Sequence, residues 1–191
     1  FLDLTARNDW ASTLAYTSHE KSGFFYPSAG LSFLIDKWIQ LPEWISFAKL
    51  RGTYSKVGND IPQFITNSVS HITAGGELQA NDAAPFKEME PEMTHSVEVG
   101  TEWRFFQSRL GFNLTYYRTN THNQFFKLPA LAGDMYAYRY VNAGDIQNRG
   151  WELTVDATPV LTPDFTWKTS LNFSSNRNKI KELHEELKEL V

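Results

Sequence analysis

Cysteine is absent from this 191-residue chain. That excludes a disulfide scaffold, a thiolate nucleophile and a Cys-ligated metal centre. Long hydrophobic runs are absent too. A helix that crosses a bilayer needs about 20 consecutive apolar residues. The densest stretch, Leu31 to Leu41, is broken by Ser32, Asp36, Lys37 and Gln40. No basic stripe occurs: Lys and Arg number 18 against 22 Asp and Glu, a formal net charge of −4. Nucleic-acid binding by phosphate neutralisation is therefore not expected. Catalytic signatures are also missing. There is no G-x-S-x-G elbow and no P-loop, and none of His19, His71, His95, His122 and His184 falls at H-E-x-x-H spacing. Asn59-Asp60 and Asn81-Asp82 offer oxygens, but no ordered ligand series such as an EF-hand follows them. Neither a metal nor a cofactor is expected.

What the chain has in quantity is aromatic residues, 15%, within a hydrophobic content of 41%. The apolar residues recur with a period of two. Val97, Val99, Thr101, Trp103 and Phe105 alternate with Glu98, Gly100, Glu102 and Arg104. Leu110, Phe112, Leu114 and Tyr116 repeat the scheme, as do Trp151, Leu153, Val155 and Ala157, and then Trp167, Thr169, Leu171 and Phe173. Leu2, Leu4 and Ala6 open the chain in the same way. Two less regular runs, Tyr26 to Ile35 and Ile45 to Val57, bring the count to about seven strands of roughly 8–13 residues. Alternation of this kind suits a soluble sheet with one wet face. It suits equally a membrane barrel with an apolar exterior and a polar lumen.

The connections separate the two. Gln107-Ser108-Arg109, Thr158 to Asp164 and Asp36 to Trp44 are short; Ala11 to Phe24, Asn59 to Glu92 and Asn120 to Asp145 are long and polar. In an up-and-down sheet this alternation puts every short turn at one end and every long loop at the other. Outer-membrane barrels have that asymmetry, whereas long structureless loops are uncommon in compact domains. Aromatics flank the short turns (Trp38, Trp44, Trp103, Phe105, Phe106, Phe165, Trp167). Others lie toward the long links (Tyr16, Phe24, Phe25, Tyr26, Tyr54, Tyr116, Tyr117). They read as two interfacial belts, or as the ordinary preference of aromatics for strands.

A family resemblance rests on motifs in order. Pro91-Glu92-x-Thr94, Glu98-x-Gly100 and Arg104-Phe105-Phe106-x-x-Arg109-Leu110 come first. Tyr116-Tyr117, Thr119-Asn120-Thr121, Asn123-Gln124 and Asn142-Ala143-Gly144-x-Ile146-x-Asn148-x-Gly150-x-Glu152 follow. Together they resemble the late-barrel region of TonB-dependent outer-membrane receptors. Upstream, Thr5-Ala6-Arg7-Asn8-Asp9-Trp10, Tyr26-Pro27-Ser28, Phe47 to Tyr54 and Val57-Gly58-Asn59-Asp60 are similar to the SusC/RagA subfamily. The resemblance implies an all-β, antiparallel up-and-down transmembrane barrel segment. Its seven strands would belong to a barrel of about 22 strands closed round a plug. Residues 1–180 would form the partial barrel and residues 181–191 a charged helical or loop tail, with Leu183, Leu187 and Leu190 at helical spacing. The opening at Phe1, with no basic and apolar leader, fits a segment of something larger.

The same resemblance implies location in the bacterial cell outer membrane and TonB-energised import of a glycan or peptide. The implied partners are a SusD-like surface lipoprotein, the TonB complex through the plug region, and the lipid bilayer. The rival reading is a soluble β-sheet carbohydrate-binding module. An enzyme is not expected. Because charge on a lipid face is costly, Glu98, Glu102, Arg104, Glu152, Asp156 and Lys168 are expected to line the lumen. There they would cross-link the wall, or meet cargo or plug. In the last long link, Tyr136, Tyr138 and Tyr140 share a face if extended. They would stack on cargo or pack the loop.

Overall fold

A computed structural model of the chain describes residues 1–67, 69–130, 132–142 and 144–182. The strands are β1 (Leu2–Asp9), β2 (Phe24–Leu34), β3 (Ile45–Asn59), β4 (His71–Ile72), β5 (Leu78–Gln79) and β6 (Glu92–Phe105). Then come β7 (Leu110–His122), β8 (Phe125–Pro129), β9 (Tyr138–Asn142), β10 (Asp145–Leu161) and β11 (Thr166–Glu182). Seven of them form one antiparallel sheet in the order β1-β2-β3-β6-β7-β10-β11. Every long strand therefore pairs with its predecessor and its successor among the long strands. The four short ones form two ribbons, β4 with β5 and β8 with β9, inside the long links.

Strand number and links follow the sequence reading, but the strands are longer than expected. β3 has 15 residues, and β10 and β11 have 17 each. Most of the added residues lie at the long-link end, where both faces are largely polar, as in Arg118 to His122 and Ser174 to Lys179. A backbone ladder continues there without an apolar face, so hydrophobic period does not report it. Lys181 and Glu182 continue β11 rather than opening a tail. The rest of the expected tail, 183–191, lies outside the described residues.

The short turns are tight. Phe106, Gln107 and Ser108 all adopt positive φ (52°, 56° and 65°) with no glycine among them. The turn is held by Phe106 N–H donating to Trp44 O at 2.8 Å and Ser108 N–H to Ser46 Oγ at 3.2 Å. Thr158 and Pro159, expected in a turn, instead occupy an irregularity in β10 between Ala157 and Val160. Proline has no N–H for the ladder, so a bulge is where a strand tolerates it. Arg109 clamps this bulge, donating to Thr158 O at 3.2 Å and Pro159 O at 2.6 Å.

The sheet has almost no core. Among the described residues Ala48 is its one buried apolar side chain. Its other apolar groups stay open: Leu31 is 58% exposed, Val99 55% and Leu171 68%. The buried cluster of Leu14, Ile61, Ile65 and Met89 belongs instead to the long links, flanked by Phe24, Phe86, Phe125 and Tyr140. Polar contacts knit those links further. Asn142 Nδ2 donates to Glu90 O and Asn123 O, Asn123 Nδ2 to Glu90 Oε2, and Thr66 Oγ1 to Thr13 O. The N–H groups of Ala137 and Tyr138 both donate to Asp82 O. The long links thus form a packed cap over one end of the sheet.

Candidate functional site

Side chains alternate across a strand, and pairing carries that parity from strand to strand. Glu98, Glu102 and Arg104 of β6 stand opposite Tyr117, Asn113 and Gly111 of β7. Asn113 and Gly111 stand opposite Thr154 and Asp156 of β10, and Thr115 opposite Glu152. Asp156 faces Ser170 of β11, two residues from Lys168. All six charged candidates therefore project from one face. Lys49, Arg51 and Thr53 of β3 join it, as do Gly30 and Ser32 of β2 and Asp3 and Thr5 of β1.

The six do not converge on one point. Glu102, Arg104, Asp156 and Lys168 line a hollow of about 610 Å³ at the short-turn end, together with Asn113, Thr154 and Ser170. With Arg109, which also lines it, two acids and three bases meet there. Arg104 donates to Glu102 Oε1 from Nε at 3.1 Å and Nη2 at 2.9 Å, and lies 5.9 Å from the Phe47 ring centroid. Glu98 and Glu152 stand nearer the long links, outside that hollow. The arrangement can hold a polar surface in register and offer charge to whatever fills it.

One residue missing from the charged candidates is central to the face. The Arg51 guanidinium reaches over Gly100 and donates to Glu98 Oε1 (3.3 Å), Asn113 Oδ1 (3.3 Å) and Thr115 Oγ1 (2.6 Å). It thus ties together β3, β6 and β7. A Cβ at Gly100 would lie 2.8 Å from Arg51 Nε, so the glycine is the space this side chain uses. The parity of β3 and a glycine in the neighbouring strand were the available signals; the register that aligns them was not. Arg51→Met should destabilise the sheet by about 1–2 kcal/mol, because Thr115 is buried and loses its charged donor. Denaturant titration of the folded protein measures this.

The tyrosines divide. Tyr138 and Tyr140 lie on β9, whereas Tyr136 precedes that strand. The Tyr140 ring packs 6.4 Å from Phe125 and joins the cluster of the long links. Lys127 Nζ sits 3.9 Å from the centroid of the Tyr138 ring. Tyr138 and Tyr140, two apart on β9, share a face of that ribbon. Three belt candidates also move: Phe24, Tyr26 and Tyr117 project from the polar face, Tyr117 opposite Glu98 and beside Gly150.

The opposite face is apolar over its whole width. Leu2, Leu4 and Ala6; Ala29, Leu31 and Phe33; Ala48, Leu50 and Tyr54; and Val99, Trp103 and Phe105 share it with the apolar sets of β7, β10 and β11. At the short-turn end, Phe105 stacks with Trp44, Trp103 and Phe112 at centroid distances of 5.7, 6.3 and 6.0 Å. Toward the other end, Tyr116 and Trp151 meet at 4.7 Å. Between these groups the face carries no Lys, Arg, Asp or Glu on any of the seven strands.

Comparison with known proteins agrees with this geometry. The family model described as "TonB dependent receptor-like, beta-barrel" matches residues 1–183. TonB-dependent receptor P26 of Formosa agariphila is 29% identical over 192 residues, which cover 95% of this chain and 19% of that protein. TonB-dependent receptor SusC of Bacteroides thetaiotaomicron is 25% identical over 189 residues, 91% of this chain and 19% of SusC. The chain thus spans about a fifth of the length of these curated relatives. In fold it is similar to the RagAB peptide transporter, with a TM-score of 0.81 at 23% identity, over 96% of this chain and 21% of that one.

Proposed function

The chain belongs to the TonB-dependent receptor-like β-barrel family, and on that premise we propose that it is part of the wall of an outer-membrane importer. Its seven strands occupy an arc of a closed barrel of about 22 strands. The observation that carries this reading is the uncovered apolar face. Lipid offers no hydrogen-bond partners, so a wall must pair its backbone groups from strand to strand and turn only apolar side chains outward. The inner strands of the sheet are paired on both sides, and the central band of the apolar face carries no charge.

In this reading the polar face lines the lumen. The hollow of Glu102, Arg104, Asp156 and Lys168 receives the plug on the short-turn side, and the Arg51 tie keeps the wall in register while the plug moves. The packed long links stand on the cell surface, beneath a SusD-like lipoprotein. Cargo is a glycan or a peptide; fold likeness to a peptide transporter supports the second class. Tyr136 and Tyr138 are the loop residues offered to cargo, whereas Tyr140 is committed to packing. Energy is relayed from the inner membrane by TonB through the plug.

Thiol accessibility tests the wall, in a receptor whose cysteines outside this segment, which has none, are replaced. In the full-length receptor in its membrane, single cysteines at Glu152, Thr154 and Asp156 should react with a water-borne maleimide. Those at Leu153 and Val155 should react at least tenfold more slowly. Equal labelling of both sets, or the inverse pattern, overturns the proposal. Uptake is tested by growth on defined glycans and peptides. Growth that depends on the receptor but survives deletion of TonB contradicts energised import.

A further inference from the structure

The apolar face ends abruptly toward the long links. One step beyond Tyr116 and Trp151, pairing aligns Arg118 of β7, Arg149 of β10 and Arg177 of β11 directly across from one another. The next row of that face holds His95, Asn120, Gln147 and Lys179, with Lys56 opposite His95. Neighbouring strands lie about 4.8 Å apart, and like charges placed directly opposite destabilise a sheet. Among the described residues no carboxylate pairs with Arg118, Arg149 or Arg177. The acids beyond them are Asp145 and Glu182, which stand opposite each other. Asp145 accepts from Asn120 Nδ2 at 3.1 Å and lies 3.7 Å from His122 Nδ1.

Arg118 is held in place. With the Gln147 amide turned to suit, Gln147 Oε1 accepts from Arg118 Nε at 2.8 Å and Nη2 at 2.9 Å. Gln147 is only 4% exposed, so this network is fixed within the surface. Arg149 and Arg177 instead line an open hollow of about 420 Å³ with Tyr116, Trp151 and Ser175. Its aromatic side continues the apolar face; its guanidinium side stands where that face turns polar. Three cations in a row with no carboxylate beside them among the described residues make a site for an external anion, and guanidinium groups suit phosphate oxygens.

We propose that the Arg118–Arg149–Arg177 row binds the phosphate-bearing headgroup of an anionic lipid in the outer leaflet, its acyl chains lying along Tyr116 and Trp151. The proposal rests on the membrane reading above. It also fixes the depth of the wall, because the row marks the water boundary on the long-link side.

The test uses the full-length receptor in detergent, titrated with phosphatidic acid, phosphatidylcholine or inorganic phosphate and read by native mass spectrometry. Each cation is expected to contribute about fivefold, so the unaltered receptor should prefer phosphatidic acid over phosphatidylcholine by roughly a hundredfold. The triple variant Arg118→Gln, Arg149→Gln, Arg177→Gln should lose that preference. Lys37→Gln, on the short-turn side, should keep it. Equal binding of both lipids by the unaltered receptor overturns the proposal. So does an unchanged preference in the triple variant, or inorganic phosphate binding as tightly as the lipid. The cysteine labelling separates the two failures: Leu153 and Val155 shielded without lipid preference removes only the headgroup site, whereas both open to water removes the wall itself.

Discussion

Leu153→Arg should destabilise the assembled receptor by about 2–4 kcal/mol, the range for a cation at the lipid midplane of a barrel wall. Leu153 is the right position because of its neighbours. It stands opposite Leu114 on β7 and Phe173 on β11, in the middle of the uncharged band. The loss should appear as a lower denaturation midpoint in lipid vesicles and a smaller yield of folded receptor in the outer membrane. Thr154→Lys, one residue along, turns to the polar face beside Asn113 and Asn172. It forfeits the hydrogen bond from Thr154 Oγ1 to Asn172 Oδ1 at 2.8 Å and should cost only about 1 kcal/mol. A soluble sheet carrying Leu153 on a wet surface would register the arginine within about 0.5 kcal/mol. Such a result would remove the bilayer from the picture.

Gly150→Val should be nearly as damaging, at about 3 kcal/mol, the upper range for forcing atoms into a packed site. A Cβ at Gly150 would overlap Ser175 O and lie 2.6 Å from Tyr117 Oη. The Tyr117 ring crosses the strand at this point because the glycine leaves room for it. Removing that ring as well, in Gly150→Val with Tyr117→Leu, should recover only part of the loss, since the Ser175 carbonyl belongs to the backbone and cannot swing aside. Gly52→Ala provides the contrast. The nearest atom to its Cβ is Glu98 O at 3.9 Å, so it should be neutral or slightly stabilising. Equal stability of Gly150→Val and the unaltered protein in urea titrations would mean that β10 and β11 separate freely here.

The faces were legible before any coordinates because parity is a local property. Glu98, Glu102 and Arg104 share a face whatever lies beside β6, and the same holds for Glu152 with Asp156. The links were legible because Gly, Pro, Asn and Asp interrupt the alternation. Strand ends were not: from Arg118 to His122 and from Ser174 to Lys179 both faces are polar, and hydrophobic period has nothing to count. The bulge at Thr158 and Pro159 read as a turn for a related reason, since proline interrupts a ladder in either setting.

By itself, then, the sequence determined the seven long strands and the division of each into an apolar and a polar edge. Those follow from residue types and a two-residue period. Only the tertiary structure decided which residues meet. Register put Arg51 over Gly100, Tyr117 beside Gly150 and three arginines abreast, and folding gathered Leu14, Ile61, Ile65 and Met89 into a cap from links that read as merely polar. Each of these depends on pairings between residues dozens of positions apart. A shift of one residue would reverse every one that lies on the sheet, and no local pattern encodes that shift.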